Sequence, residues 1–282
     1  MRYGEELIIA DPKINKWIGK SINKDDEIDA EKLAHLARGG YVKSIYHPVN
    51  ESRRFKELVF AYHDTVKNQI RIKNKLKARF RTEGIQCKGV TVYSENYRNE
   101  WRNRLPKNPI ARLIADELWS QLDQLQESKK KLKGKIEIQS KQYPETRRFM
   151  KIPGIGLINA STIFAIVDTP NRFSNKKKLW MYAGIGLSVR ASGGKVYSTK
   201  LTREYNRQLK NAVKKSAESA IHARESQFRK QHLRLTIKQG LPSHKAKLTV
   251  ARSLLATVYG IWKSGEEYDP DIAKKRREGN KK

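Results

Sequence analysis

Two groups of residues in this chain have the types and spacing to do chemistry. The first centres on Ser192, in the turn Ala191-Ser192-Gly193-Gly194 between two short strand-patterned runs, Leu187 to Arg190 and Lys195 to Thr199. Between Asn171 and Lys210 ten Lys and Arg residues accompany one acid, Glu204. A serine hydroxyl is a weak nucleophile until a base or a cationic surround activates it. Arg190, Lys195, Arg203 and Arg207 could neutralise a phosphate beside Ser192. No Asp or His adjoins it, so a hydrolase triad is not suggested locally. Turns also favour Ser and Gly for their own sake, and on that reading Ser192 simply starts a turn. The second group is Asp26 and Asp29, three apart at the start of a helical pattern, where their carboxylates share a face. Such a pair could contribute to a Mg2+ site for phosphodiester chemistry, given further carboxylates from elsewhere. Taken by itself the spacing favours the plainer reading, helix capping, with Asp26 as N-cap and Glu27 or Asp29 in the first turn.

A third motif, Ile152-Pro153-Gly154-Ile155-Gly156, joins a short helical run from Pro144 to Met150 to the apolar run Leu157 to Val167. This is a helix-hairpin-helix signature. Gly154 and Gly156 permit the tight turn, and the second helix offers its first N–H groups to a phosphate without regard to base sequence. The plain alternative is an ordinary helical turn.

The rest of the chain must hold these groups in place. Leu58, Tyr62, Val66, Ile70 and Leu76 mark an apolar stripe on a basic helix from Glu51 to Thr82. Asn108 to Gln142 is the longest helical pattern, with Leu113, Leu118, Leu122, Leu125, Leu132 and Ile136 as its stripe. It reads as a coiled-coil dimerisation arm or as a helix packed on its own chain. Thr202 to Glu225 is a helix with Tyr205, Leu209, Val213 and Ala217 on one stripe and Arg203, Arg207, Lys210 and Lys214 beside it. Ser243 to Trp262 is a last strong helix. Glu6 to Ala10 and Tyr41 to His47 read as strands, and Trp101 to Pro106 has no clear pattern. Gly184 and Gly186 do not lead into a P-loop.

Composition narrows the partners. A net charge of +31 and a pI near 10.2 oppose compaction unless a polyanion neutralises them. Nucleic acid is the commonest such partner, and a membrane surface comes second. No apolar run approaches the length of a spanning helix and no signal peptide opens the chain, so no membrane partner and a cytoplasmic location are expected. The single cysteine, Cys87, excludes an internal disulfide framework and a cysteine-rich zinc site.

Longer blocks resemble a known family. KDDEIDAEKLAHLARGGYVKSIYHP, IPGIGLINASTIFAIVDTPNRF, LWMYAGIGLSVRASGGK and REYNRQLKNAVKKSA are similar to successive blocks of the DEDD transposases of the insertion-sequence one-hundred-ten type, the bridge-RNA-guided recombinases. The resemblance covers nearly the whole chain. It implies that Asp26 and Asp29 are the last two metal-binding aspartates, with Mg2+ as cofactor, and that Ser192 attacks DNA to form a serine–DNA linkage during strand exchange. Gly154, Gly156, Arg190, Lys195, Arg203, Arg207 and Lys210 are the expected nucleic-acid-binding residues. The implied partners are DNA of the element ends and target, an element-encoded guide RNA and further copies of the chain, as dimer or tetramer, at the nucleoid.

The expected fold is α+β and mostly helical. It comprises a partial RNase H-like domain with the basic helix (1–100), a helical coiled-coil arm (101–143), a serine-containing transposase domain (144–265) and a basic tail (266–282). The family's first Asp and its Glu find no match, because the sequence starts at Met1 just before the block GEELIIADP. The expectation is therefore a truncated element or a late start codon, and a chain weak or inactive by itself. Two other readings compete: a non-catalytic nucleic-acid-binding remnant, and a junction-binding or repair factor built on the hairpin motif.

Overall fold

The computed structural model describes residues 8–11, 26–42, 44–46, 52–193 and 195–271. They divide into two compact units, Met1–Glu51 and Ser52–Lys282. In the first, α1 (Asp26–Arg38) carries Asp26, Glu27 and Asp29 in its first turn, where the helix dipole favours acids, and His35 and Arg38 in its last. It ends at Gly39-Gly40, with the Gly39 N–H donating to the His35 carbonyl and Gly40 at φ +67°. Where the predicted strands fall on described residues they form one antiparallel bridge, Ala10 to Ser44, next to an Ile45 N–H bond to the Ile9 carbonyl. Glu6 and Leu7, and His47, lie outside the described residues.

The second unit is helical apart from one hairpin. α2 (Ser52–Thr82) buries Phe55, Val59, Tyr62, Ile72, Leu76 and Phe80. Ile70, placed on the buried stripe by spacing, is exposed. The stripe drifts because a straight helix at 3.6 residues per turn does not follow one exact four-residue step for eight turns. After 3-10 turns, α3 (Arg98–Arg104) forms where the sequence had no readable pattern. Trp101 is its only buried residue, so periodicity had a single point to work from. α4 (Pro109–Ser140) starts at Asn108, whose side chain accepts from the Ile110 and Ala111 N–H groups. It packs along α2 on its own chain. The pair runs antiparallel: Leu76 and Phe80 meet Ala115 and Trp119 at one end, and Phe55 and Val59 share a core with Ile136 at the other. That packing places α2 in the same compact unit as the helices that follow it. Leu113, read as part of the α4 stripe, is exposed together with Ile110, Ile114 and Ile138.

α5 (Pro144–Met150) and α6 (Leu157–Val167) have the bounds that the apolar runs predict. Every residue of α6 from Ala160 to Val167 is buried. α2, α4, α5 and α8 (Arg207–His222) all pack on it. α7 (Lys176–Tyr182) leads into the hairpin β1 (Leu187–Ser192) and β2 (Lys195–Leu201). α9 (Gln227–Leu233) and a π-helical turn over Arg234–Lys238 precede α10 (Ser243–Ser264), which packs on α7, α8 and α9. Phe55, Tyr143, Phe149, Phe164 and Trp262 form an aromatic cluster, with ring centroids 4.6 to 6.0 Å apart, that joins α2, α5, α6 and α10.

The turn between α5 and α6 shows why its first glycine is needed. Gly154 has φ +88°, and a Cβ there would lie 2.3 Å from the Ser216 carbonyl oxygen and 2.4 Å from the Ala220 nitrogen of α8. At Gly156 a Cβ would meet nothing. Gly154→Ala should therefore lower stability by about 3 kcal/mol or more, through strain and overpacking together. Gly156→Ala should cost no more than about 1 kcal/mol as the loss of a permissive cap. Chemical unfolding of the two variants measures the difference.

A half-buried histidine gives the fold a pH dependence. His63 Nε2 lies 2.8 Å from Thr162 Oγ1, whose hydroxyl donates to the Ile158 carbonyl at 2.6 Å. The imidazole therefore donates its Nε2–H to Thr162. Burial, with Lys215 and Lys67 adding to it, holds His63 below its ordinary 6.5. Below about pH 6.5 the unfolded chain takes up this proton before the folded one does. The contribution is complete above that pH and is lost as pH falls toward the lowered folded value. His63→Gln, which keeps a donor for Thr162, should flatten the fall in melting temperature between pH 7.5 and 5.

Candidate nucleic-acid interface

The hairpin that carries Ser192 is held at its root. Asn175 caps α7 by accepting from the Lys177 and Lys178 N–H groups. The α7 helix closes with Ile185 and Gly186 N–H bonds to the Trp180 carbonyl. Gly184, at φ +69°, lets the chain pass so close to Tyr205 that a Cβ would lie 2.4 Å from its ring. From α10, Arg252 Nε donates to the Ile185 carbonyl at 2.7 Å. The returning strand is tied in turn, Thr202 N–H to the Gly186 carbonyl and Asn206 N–H to the Tyr182 carbonyl. Burial lowers the Arg252 pKa.

From that root the strands pair from Leu187 with Leu201 to Ser192 with Lys195, with an irregularity between Arg190 and Ala191. Gly193 turns the tip at φ +56°. Ser192 and Lys195 are both exposed, and the Ser192 hydroxyl has no hydrogen-bond partner among the described residues. The Arg190 backbone is on β1, while its side chain and residue 194 lie outside what is described. Leu187, Val189 and Tyr197 are exposed along the hairpin. A two-stranded hairpin with uncovered apolar residues is marginal alone, so the root bonds matter for its placement.

The cations predicted around Ser192 divide between elements. Arg203 is exposed in the non-helical segment before α8, not on a helix. The helix starts later because Asn206 takes the N-cap position and accepts from the Leu209 N–H at 3.0 Å. Arg207 is the exposed first residue of α8, and Lys210 Nζ lies 3.9 Å from the Tyr205 ring centroid. Gly154 faces α8 and serves helix packing. Gly156 is exposed at the start of α6, which has no side-chain cap. Its first-turn N–H groups lack intrahelical partners in the ordinary way.

Asp26 and Asp29 belong to the other compact unit. Asp29 Oδ1 is 3.8 Å from Lys32 Nζ, is shielded from solvent and has no hydrogen-bond partner. Two hard oxygen donors on one helical turn suit Mg2+, but no group of three or more His, Cys, Asp or Glu that could hold a metal occurs among the described residues. Arg252 and Tyr205 are contributors to the hairpin root that sequence reasoning missed. The available signal for Arg252 was a lone cation inside the otherwise uncharged run from Leu248 to Trp262.

Comparison with known proteins places this geometry in a family context. Residues 146–233, from α5 to the end of α9, match the family model described as Transposase IS116/IS110/IS902 family. The matched segment contains the α5–α6 turn, the hairpin and α8. The chain is also 24% identical over 160 residues to the "Insertion element IS110 uncharacterized 43.6 kDa protein" of Streptomyces coelicolor (strain ATCC BAA-471 / A3(2) / M145). That similarity covers 56% of this chain and 38% of the relative, so the chain matches well under half of the relative's length. Both findings support an insertion-sequence transposase domain. No helix among the described residues is long and apolar enough to cross a membrane.

Gly184→Ala should loosen the hairpin, because the new methyl must displace the Tyr205 ring at a positive φ. The expected cost is about 2 kcal/mol. Hydrogen exchange over Leu187 to Leu201 should rise more than exchange in α6.

Proposed function

We propose that this chain acts in transposition of an insertion sequence, binding DNA of the element's ends and target together with an element-encoded guide RNA. The observation that carries this reading is Ser192, exposed at the tip of an anchored hairpin, paired with Lys195 and lying inside the segment that matches the transposase family. The proposed step is attack by Ser192 Oγ on a DNA phosphorus. An Oγ–P bond forms as Oγ gives up its proton to solvent, the bond from phosphorus to the leaving deoxyribose oxygen breaks, and that oxygen takes up a proton in turn. Lys195, paired with Ser192 at the tip, offsets the charge of the attacked phosphate, while Arg203 and Arg207, beyond the root at the other end of the strands, and the α6 N-terminus at Gly156 would hold other phosphates of the backbone.

Asp26 and Asp29 are the proposed Mg2+ ligands, with the remaining ligands coming from beyond the described residues or from another copy of the chain. Bound there, the ion would supply Lewis-acid stabilisation of a DNA phosphate. A site shared between copies is the reason to expect a dimer or tetramer.

The test is covalent capture. The chain is incubated with Mg2+, labelled element-end DNA and RNA transcribed from the element, then denatured. A denaturation-resistant adduct that Ser192→Ala abolishes is the expected result. An adduct that survives Ser192→Ala would sink the serine assignment. The second reading, a non-catalytic nucleic-acid binder, is favoured by the lack of any hydrogen-bonded base at Ser192 and of a three-acid cluster among the described residues. It predicts no adduct with binding intact. Under either reading, contact with ~6–10 phosphates should cost roughly three to five decades of affinity between 50 and 200 mM salt. A flat salt profile in a filter-binding titration would contradict both.

A further inference from the structure

Two clefts border the hairpin root, one beside each strand. The cleft beside β1 holds about 550 Å3. Lys177, Lys178 and Arg252 give it charge, and Trp180, Met181 and Leu187 give it apolar wall. The cleft beside β2 holds about 490 Å3, with Lys210, Lys214, Lys215, Lys247 and His244 around it and Leu201 in its wall. Leu187 and Leu201 are cross-strand partners, so one rung of the hairpin contributes a residue to each cleft.

The same face of α10 lines both. His244 and Leu248 border the second cleft and Arg252 the first, at successive four-residue steps. From His244 to Arg252 the helix rises ~12 Å at 1.5 Å per residue. A strand of duplex DNA places a phosphate roughly every 3.4 Å along its axis, so this face spans about three to four of them.

The charge in the clefts is poorly compensated. Seven Lys and Arg residues line them, and Glu218 is the one acid among the lining residues. Glu218 is taken up by Lys247 at 2.8 Å. Lys177, Lys178, Lys214 and Lys215 have no ion-pair partner among the described residues. Arg252 uses Nε on the Ile185 carbonyl, and its terminal N–H groups have no partner among the described residues. A half-buried guanidinium with four donors left over, next to two exposed lysines, calls for an anion with several acceptor oxygens. Apolar and aromatic walls beside such cations suit a strand, whose sugars and bases need cover while its phosphates need charge.

We propose that the two clefts form one seat for the backbone of a DNA strand, which follows α10 past the hairpin root, with Arg252 holding a phosphate in the cleft beside β1. The proposal rests on the nucleic-acid reading above and names where the strand lies. It accounts for a cation in α10 that also anchors the hairpin: the same guanidinium that fixes the Ser192 hairpin would sense the strand.

Binding of labelled DNA by the full chain, measured by anisotropy over a salt series, tests this. Lys177→Ala/Lys178→Ala and Lys214→Ala/Lys215→Ala each remove exposed side chains and should leave the fold intact, as circular dichroism would verify. Each pair should reduce the slope of log affinity against log salt by roughly 1.4 to 1.8. Lys133→Ala/Lys135→Ala on α4 should leave it unchanged. Arg252→Lys, which keeps the charge but loses the fork, should weaken DNA binding at least severalfold. If wild type binds with a steep slope and neither cleft pair changes it, the strand lies elsewhere: this proposal fails and the reading it rests on stands. If wild type shows no salt-dependent binding, both fail. If the cleft pairs weaken binding of RNA but not of DNA, the seat belongs to RNA and the proposal is overturned.

Discussion

Helix α6 has no exposed face from Ala160 onward, and the arrangement of the second unit follows from covering it. Residues from Ala160 to Val167 are all buried, so helices must close on it from every side. α2, α4, α5 and α8 do so, and the tightest approach is made where Gly154 brings the α5–α6 turn against the α8 backbone. A side chain at that position would push α8 outward. Because α8 follows directly from the hairpin, the packing of α6 also fixes the base from which Ser192 is presented.

The hairpin is the opposite case. It is exposed, has two strands and carries uncovered apolar residues, so its own pairing cannot locate it. Location comes from polar bonds at the root: the Trp180 and Tyr182 carbonyls from α7, the Gly186 carbonyl, and Arg252 from α10. The resulting division of labour is simple. Apolar burial sets the positions of α7, α8 and α10, and a few directed hydrogen bonds aim the hairpin relative to them.

Charge adds a second constraint. The chain carries +31, and much of that charge is spread over solvated helix faces where it repels weakly and needs no explanation. It matters where cations converge in a concavity, because low-dielectric walls strengthen each interaction and few acids offset them. The clefts beside the hairpin root meet that condition. The match of residues 146–233 to a transposase family covers the hairpin, α7 and α8, and the α10 half of the clefts falls beyond it.

What could be read from the sequence was whatever depends on local pattern. The bounds of α5 and α6 follow from Pro144, the Pro-Gly-Ile-Gly turn and an unbroken apolar run. The hairpin follows from alternation on either side of Ser-Gly-Gly, and the demand for a polyanion follows from the charge alone. Tertiary structure decided the rest. It decided that α4 lies along α2, since an amphipathic stripe says that a partner exists but not which one. It turned Gly154 toward α8, because a glycine's freedom is the same whether a phosphate or a neighbouring backbone comes close. It placed Arg203 ahead of α8, where the Asn206 cap overrides helical spacing, and left Ile70 in solvent while Ile72 took the core position. It also brought Arg252 to Ile185, 67 residues away in sequence, a contact that no local pattern encodes because only the packing of α10 on α7 creates it.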